Sequence, residues 1–309
     1  MDPLVQGLKQ GIVVEQVTKT YGDRNVVDSL SFQACPGRVT GFLGPNGSGK
    51  STTMKIMLDL AKADHGSVTV AGARYRDLPD PTAVVGALLE ANAFHPGRSG
   101  RNHLRILADA AGVSRDRVDE VLGQVGLDDA ADRRVGAYSL GMRQRLGFAG
   151  AVLGDPPVLV LDEPANGLDP MGIHEMREML RSLAADGCTV LVSSHLLAEV
   201  ELLVDDLVVI NRGRLVASGT LAELREEATW VRSPAIEQLS SVVQGAGGVV
   251  DPADGGLVVR GLAIEEIGQL VCDAGIALHE LSSHAGSLEE RFLRWTSSPD
   301  AEDSEEVAP

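Results

Sequence analysis

The run Gly44-Pro45-Asn46-Gly47-Ser48-Gly49-Lys50-Ser51-Thr52 constrains this chain more than any other stretch, because it meets the spacing G-x-x-x-x-G-K-[ST] in full. Glycines at these points let main-chain N–H groups converge on a polyphosphate with no Cβ in the way. Lys50 adds a compact positive charge for the β and γ oxygens, and Ser51 offers a hydroxyl to Mg²⁺. The flanks agree with that reading. Val39 to Leu43 reads as a short buried strand entering the loop, and Lys50 to Lys62 as a helix leaving it with its positive end toward the phosphates.

The rest of the core repeats one pattern. Pro156-Pro157 breaks a helical, charged region, and Val158 to Leu161 follows as an uninterrupted apolar strand of the kind buried on both faces of a parallel sheet. Thr189 to Val192 and Leu207 to Ile210 read the same way, with a helix over Met171 to Ala185 between the first two. This is β-α-β alternation. Ahead of it, Ile12 to Val17 and Gly66 to Val70 are β-like, and about residues 92–154 form a helical portion.

After Glu227 the composition changes, and residues 228–297 read as a unit of their own. Strand Thr229 to Arg232, helix Pro234 to Val243, strand Gly248 to Val250, strand Leu257 to Arg260, helix Ala263 to Ala274 and strand Ile276 to Leu281 give a β-α-β-β-α-β order. That order predicts a ferredoxin-like α+β sandwich. A last helix opens at Ser287 with Glu290 completing a capping box, and residues 298–309 form an acidic tail expected to be disordered.

Composition removes several function classes. A formal charge of −17 opposes the wrapping of nucleic acid. Neither a leader pattern at the first residues nor a run of 18 apolar residues is present, so the chain is expected in the cytoplasm. The three cysteines, Cys35, Cys188 and Cys272, lie far apart without metal-ligand spacing and read as reduced and mostly buried.

Four features stand where phosphate chemistry needs them. The strand Val158 to Leu161 runs into Asp162 and Glu163: the first carboxylate suits the Mg²⁺ shell, the second can polarise a water beside the γ-phosphate as a general base. Tyr138-Ser139-Leu140-Gly141-Met142-Arg143-Gln144-Arg145 opens a helix with Ser139 as N-cap, an arrangement that receives anions. His195 follows the Thr189 strand, where an imidazole either reaches a γ-phosphate or serves packing. Gly167-Leu168-Asp169-Pro170 makes a tight turn.

Taken together, residues from about Ile12 to Leu224 resemble the nucleotide-binding subunits of ATP-binding-cassette (ABC) transporters, through the phosphate loop, Tyr138 to Gln144, and Leu161-Asp162-Glu163-Pro164. The resemblance implies an α/β P-loop NTPase cassette with a parallel-sheet core, an antiparallel β subdomain and a helical subdomain, carrying the α+β unit behind it. It implies two chains sandwiching two Mg-ATP, with Ser139, Gly141 and Gln144 of one chain acting on ATP held by the other. It further makes Tyr21 the ring that stacks on adenine, His195 the switch histidine and Asp169 the acid of the turn at the dimer contact. The usual Leu-Ser-Gly-Gly-Gln signature stands here as Tyr138-Ser139-Leu140-Gly141-Met142, and Glu90 stands at the place of the usual glutamine as a contact to metal or water. Both departures resemble the antibiotic-resistance exporters of the bacitracin and anthracycline type. That branch implies a separate membrane permease of about six spans, with Ala93 to Leu107 as the surface receiving its coupling helix and this chain peripheral on the inner membrane face. A soluble ABC ATPase acting on ribosomes or DNA is the other reading, for which a basic face is expected.

Overall fold

The computed structural model describes residues 7–8, 10–89, 94–224, 227–253, 255–285 and 288–296. It divides into two compact units between Leu221 and Ala222, ahead of the break expected after residue 227.

In the first unit, β1 (Ile12–Tyr21), β2 (Arg24–Ala34) and β4 (His65–Val70) form an antiparallel sheet in the order β2-β1-β4. The larger sheet joins β3 (Val39–Leu43), β5 (Val85–Leu88), β6 (Val158–Leu161), β7 (Thr189–Ser194), β8 (Asp206–Asn211) and β9 (Arg214–Thr220) in the order β5-β6-β7-β3-β8-β9. It is parallel from β5 to β8, and β9 returns antiparallel as a hairpin. Every residue of β3, β6 and β7 is buried, which is why these segments carry apolar runs and not alternation. One core spans both sheets: Ile12, Val14 and Phe32 pack with Phe42, Val160 and Ile210, and the Phe32 and Phe42 rings sit 5.0 Å apart. Arg38 just before β3 makes a bidentate pair with Asp206 at the start of β8, both contacts at 2.5 Å, and fixes the stagger of the two strands.

The long helices are α1 (Lys50–Met57), α2 (Gly100–Ala111), α3 (Asp116–Gln124), α4 (Leu140–Val152) and α5 (Pro170–Ala185). Helix α1 ends well short of the expected Lys62. Asp59 takes a left-handed backbone with φ 56°, and the N–H groups of Leu60 and Ala61 both return to the Lys55 carbonyl, closing the helix early. The strand β5 is too short to announce itself by period. Helices α2, α4 and α5 begin at Ser99, Ser139 and Asp169, whose side chains accept from the N–H groups of Asn102, Met142 and Gly172.

The second unit contains β10 (Glu227–Arg232), α6 (Ile236–Gly245), β11 (Val249–Ala253), β12 (Gly256–Arg260), α7 (Ile264–Asp273), β13 (Glu280–Ala285) and α8 (Leu288–Thr296). Its antiparallel sheet runs β11-β12-β10-β13, the ferredoxin-like order, with Leu239, Val243, Ile267 and Val271 of its two helices packed on Val231, Leu257 and Val259. The last strand differs from the expected Ile276 to Leu281: buried Ile276 completes the core after α7, and pairing with β10 starts only at Glu280. Ser287 and the acidic tail lie outside the described residues. Cys188 is buried, Cys35 half-buried and Cys272 exposed, so burial of the thiols is less general than expected; desolvation pushes the Cys188 thiol up to about 12.

Candidate active site

The loop from Gly44 to Gly49 leaves β3 at its carboxyl end and delivers the chain into α1. Gly49 is the N-cap with φ 107°, and a Cβ there would meet the Val26 carbonyl at 2.5 Å, so only glycine lets the loop fold back on β2. Val26, Asn46, Gly47, Ser48, Gly49, Lys50, Ser51, Thr52 and Glu163 line a hollow of about 210 Å³. Lys50 is 6% exposed; its Nζ donates to the carbonyls of Gly44 at 2.6 Å and Pro45 at 3.3 Å and lies 3.8 Å from Glu163 Oε1. Burial lowers its pKa, and the charges of Glu163 and Asp162 oppose that shift.

The adjacent strands supply the acids. Asp162 follows β6, and its N–H donates to the Leu88 carbonyl of β5 at 2.7 Å. Ser193 on β7 donates to Asp162 Oδ1 and accepts from the Glu163 N–H at 3.0 Å, so one hydroxyl orders both acids. His195 Nδ1 lies 2.9 Å from Glu163 Oε2. Glu163 itself has φ 49°, an uncommon backbone for a residue with a Cβ, held from both sides.

Lys50, Asp162, Glu163 and His195, separated by up to 145 positions in sequence, are thereby one cluster at the ends of β3, β6 and β7. Ser193 is the member that sequence reading passed over; its place one residue before the end of a buried strand, beside the Asp-Glu pair of the neighbouring strand, is the signal that could have found it. Gln144 is placed next to the base. Expected at a nucleotide, it is 3% exposed, and its Nε2 donates to the Glu163 carbonyl at 2.9 Å. Gly141 approaches the same loop: a Cβ on it would lie 2.8 Å from the Gly167 carbonyl. Ser139 is exposed at the helix start, while Asp169 caps α5 and lies 3.8 Å from Arg145. The Tyr21 ring is 53% exposed at the end of β1, with Lys19 Nζ 5.0 Å from its centroid. Glu90 lies outside the described residues.

The donor set fits a magnesium nucleotide. The Ser48 hydroxyl lines the hollow, buried and without a hydrogen-bond partner among the described residues, and Ser51 and Asp162 offer hard oxygen ligands of the kind Mg²⁺ takes. Among the described residues no cluster of three or more His, Cys, Asp or Glu could hold a metal by itself, as suits an ion bound largely through phosphate. Farther along the same unit, Leu58, Leu88, Phe94, His103, Leu107 and Leu146 line an apolar groove of about 580 Å³. The His103 ring meets Phe94 edge-on at 4.9 Å, and burial lowers its pKa. Among the described residues no helix is long and apolar enough to cross a membrane.

Comparison with known proteins agrees with this geometry. Residues 27–166 match the family model described as ABC transporter, and residues 227–289 match a family described only as a domain of unknown function. An uncharacterised ABC transporter ATP-binding protein of Bacillus subtilis (strain 168), YhcH, is 37% identical over 300 residues, 94% of this chain and 97% of that one. The bacitracin transport ATP-binding protein BcrA of Enterococcus faecalis is 40% identical, covering 70% of this chain and 71% of its own. A lantibiotic transport ATP-binding protein of Streptococcus pyogenes, SrtF, is 37% identical over 66% of this chain and 88% of its own. Among solved structures, an ATP-binding subunit of an ABC transporter superposes with TM-score 0.63 at 26% identity, covering 84% of this chain and 99% of that chain. The cassette MJ0796 in a dimeric, post-hydrolysis state bound to ADP and Pi gives TM-score 0.62 at 24% identity over 68% of this chain and 98% of its own, a likeness of fold.

Proposed function

The chain belongs to the ATP-binding proteins of ABC transporters, ATPases that power transport, and on that premise we propose that it drives export of an antibiotic, drug or lipid-like compound through a separate membrane subunit. The observation that carries the catalytic part is the carboxylate of Glu163, aimed at the phosphate-loop hollow between Lys50 and His195.

On arrival of ATP, Lys50 exchanges the carbonyls of Gly44 and Pro45 for β and γ oxygens, and the loop N–H groups take the remaining phosphate charge. Tyr21 stacks on adenine. Ser51 and Asp162 would hold Mg²⁺, which when bound would neutralise charge on the phosphates. Two copies then close, each laying its Ser139 helix start and Gly141 against the nucleotide of the other, with Asp169 at their contact. Glu163 takes the proton of the attacking water, while His195 moves from Glu163 toward the γ-phosphate and reports its presence. Glu90 stands in for the glutamine that usually faces metal or water. Separation of the copies after hydrolysis moves the membrane partner, a permease of about six spans whose cytosolic helix seats in the apolar groove beside Phe94 and His103. The second unit supports the contact between ATPases. Relatives named for bacitracin and lantibiotic transport support the exporter reading.

Glu163→Gln is the test. It is expected to lower ATP turnover about 10²–10⁴-fold, keep nucleotide affinity and accumulate an ATP-dependent dimer on size exclusion. A variant that turns over normally and stays monomeric overturns the reading.

A further inference from the structure

We propose that Gln144 is a positioning residue that ties the helix serving one nucleotide to the general base serving the other. This rests on the two-chain sandwich proposed above. Helix α4 presents two successive turns to two different places. Its first turn, with exposed Ser139 at the cap, is the part that faces the partner's ATP. Five residues on, about 7.5 Å along the axis, the buried Gln144 side chain donates to the main-chain carbonyl of Glu163 in its own chain.

That carbonyl belongs to a residue whose backbone needs holding. Glu163 sits at φ 49°, and its two flanking peptide groups are gripped separately: the N–H by Ser193 Oγ at 3.0 Å, and the C=O by Gln144 Nε2 at 2.9 Å beside the local turn bond from the Asn166 N–H at 3.1 Å. Without the Gln144 amide the carbonyl keeps only the local Asn166 bond, so the turn is no longer tied to α4 and the carboxylate is freer to swing from the water it must activate. The same first turn also bears on the loop that follows Glu163, since Gly141 fits only because nothing projects between it and the Gly167 carbonyl. A displacement of α4 by phosphate at its cap is therefore delivered to Glu163 through Gln144. The amide has both features the task needs: a donor for the carbonyl, and a buried stem that moves with the helix.

The test uses the full chain and two substitutions of similar size. Gln144→Met keeps the volume and removes the donor; Gln144→Glu replaces the donor by a carboxylate oxygen facing a carbonyl. Both are expected to lower kcat about 10–100-fold while KM and the affinity for a fluorescent ATP analogue stay within about twofold, because the phosphate loop is untouched. In the Glu163→Gln background, Gln144→Met is expected to leave ATP-dependent dimer formation intact, which separates loss of positioning from collapse of the helix start. Wild-type kcat in Gln144→Met overturns the proposal. So does failure of the Gln144→Met, Glu163→Gln double variant to dimerise where Glu163→Gln alone succeeds, for the residue then merely supports the helix. If Glu163→Gln alone stays monomeric, the sandwich reading fails and with it the cross-site half of the proposal, and the kcat of Gln144→Met judges the hold on Glu163 by itself.

Discussion

His195 and Glu163 are joined by a 2.9 Å contact from the imidazole Nδ1 to carboxylate Oε2, which leaves Oε1 toward Lys50. Before nucleotide arrives, the imidazole thus governs where the base points. His195→Ala frees the carboxylate to close on the ammonium. Turnover is expected to fall about 10²–10⁴-fold with ATP affinity within about twofold of the parent, measured by steady-state ATPase and equilibrium binding. Wild-type turnover would mean that Glu163 needs no partner.

Lys50 places function against stability. Its folded pKa lies below the ordinary 10.5 because burial penalises the charge. The unfolded chain therefore binds more protons between the two values, and this group makes stability rise with pH through that window, the cost being fully present below it. Lys50→Met removes the cost. Relief of that burial cost is expected to raise the thermal midpoint of the nucleotide-free chain, while Mg-ATP no longer shifts it. Calorimetry with and without nucleotide reads both effects; a lower midpoint without nucleotide would refute the argument.

Gly141→Ala puts a methyl 2.8 Å from the Gly167 carbonyl and must lever the start of α4 off the loop. Analytical ultracentrifugation of Gly141→Ala in the Glu163→Gln background should find the ATP-dependent dimer lost, with nucleotide affinity of the single chain retained. A dimer of unchanged strength would mean that the helix start does not face the partner's nucleotide.

Acid sensitivity should follow Asp59. Hydrogen bonds from Arg76, Nε at 2.9 Å among them, hold its carboxyl below the ordinary 3.8. A depressed carboxyl contributes stability above its unfolded pKa and loses it as pH falls through the folded one. In Arg76→Ala the folded value returns toward the unfolded one, so the acid-unfolding transition, followed by circular dichroism, is expected to move to higher pH. A transition at unchanged pH would count the pair as surface ornament.

The parts legible in the sequence were those where local chemistry and tertiary demand coincide. Gly49-Lys50-Ser51 fixes a backbone shape by glycine geometry, Val158 to Leu161 has no polar face to misread, and Ser139 caps its helix through its own hydroxyl. The β-α-β-β-α-β order likewise led to the sheet order found in the second unit. The contact of Gln144 with the Glu163 carbonyl is not legible in the sequence, because helical spacing does not tell which way a polar side chain turns when the surrounding walls come from residues nineteen positions away. Ser193 was overlooked because a serine in a buried strand resembles filler until the neighbouring strand is set beside it. The early end of α1 depends on Asp59 taking φ 56°, a geometry aspartate tolerates, with its carboxylate held by Arg76 from beyond the next strand.

The left-handed backbone at Glu163 narrows what descent can do at this position. A lineage released from ATP splitting has few replacements open to it there: glycine, asparagine and aspartate tolerate that geometry, whereas valine, isoleucine and threonine would wrench the turn. Degenerate cassettes built on this scaffold should therefore drift toward a small set of residues at 163, a bias imposed by torsion and indifferent to cargo.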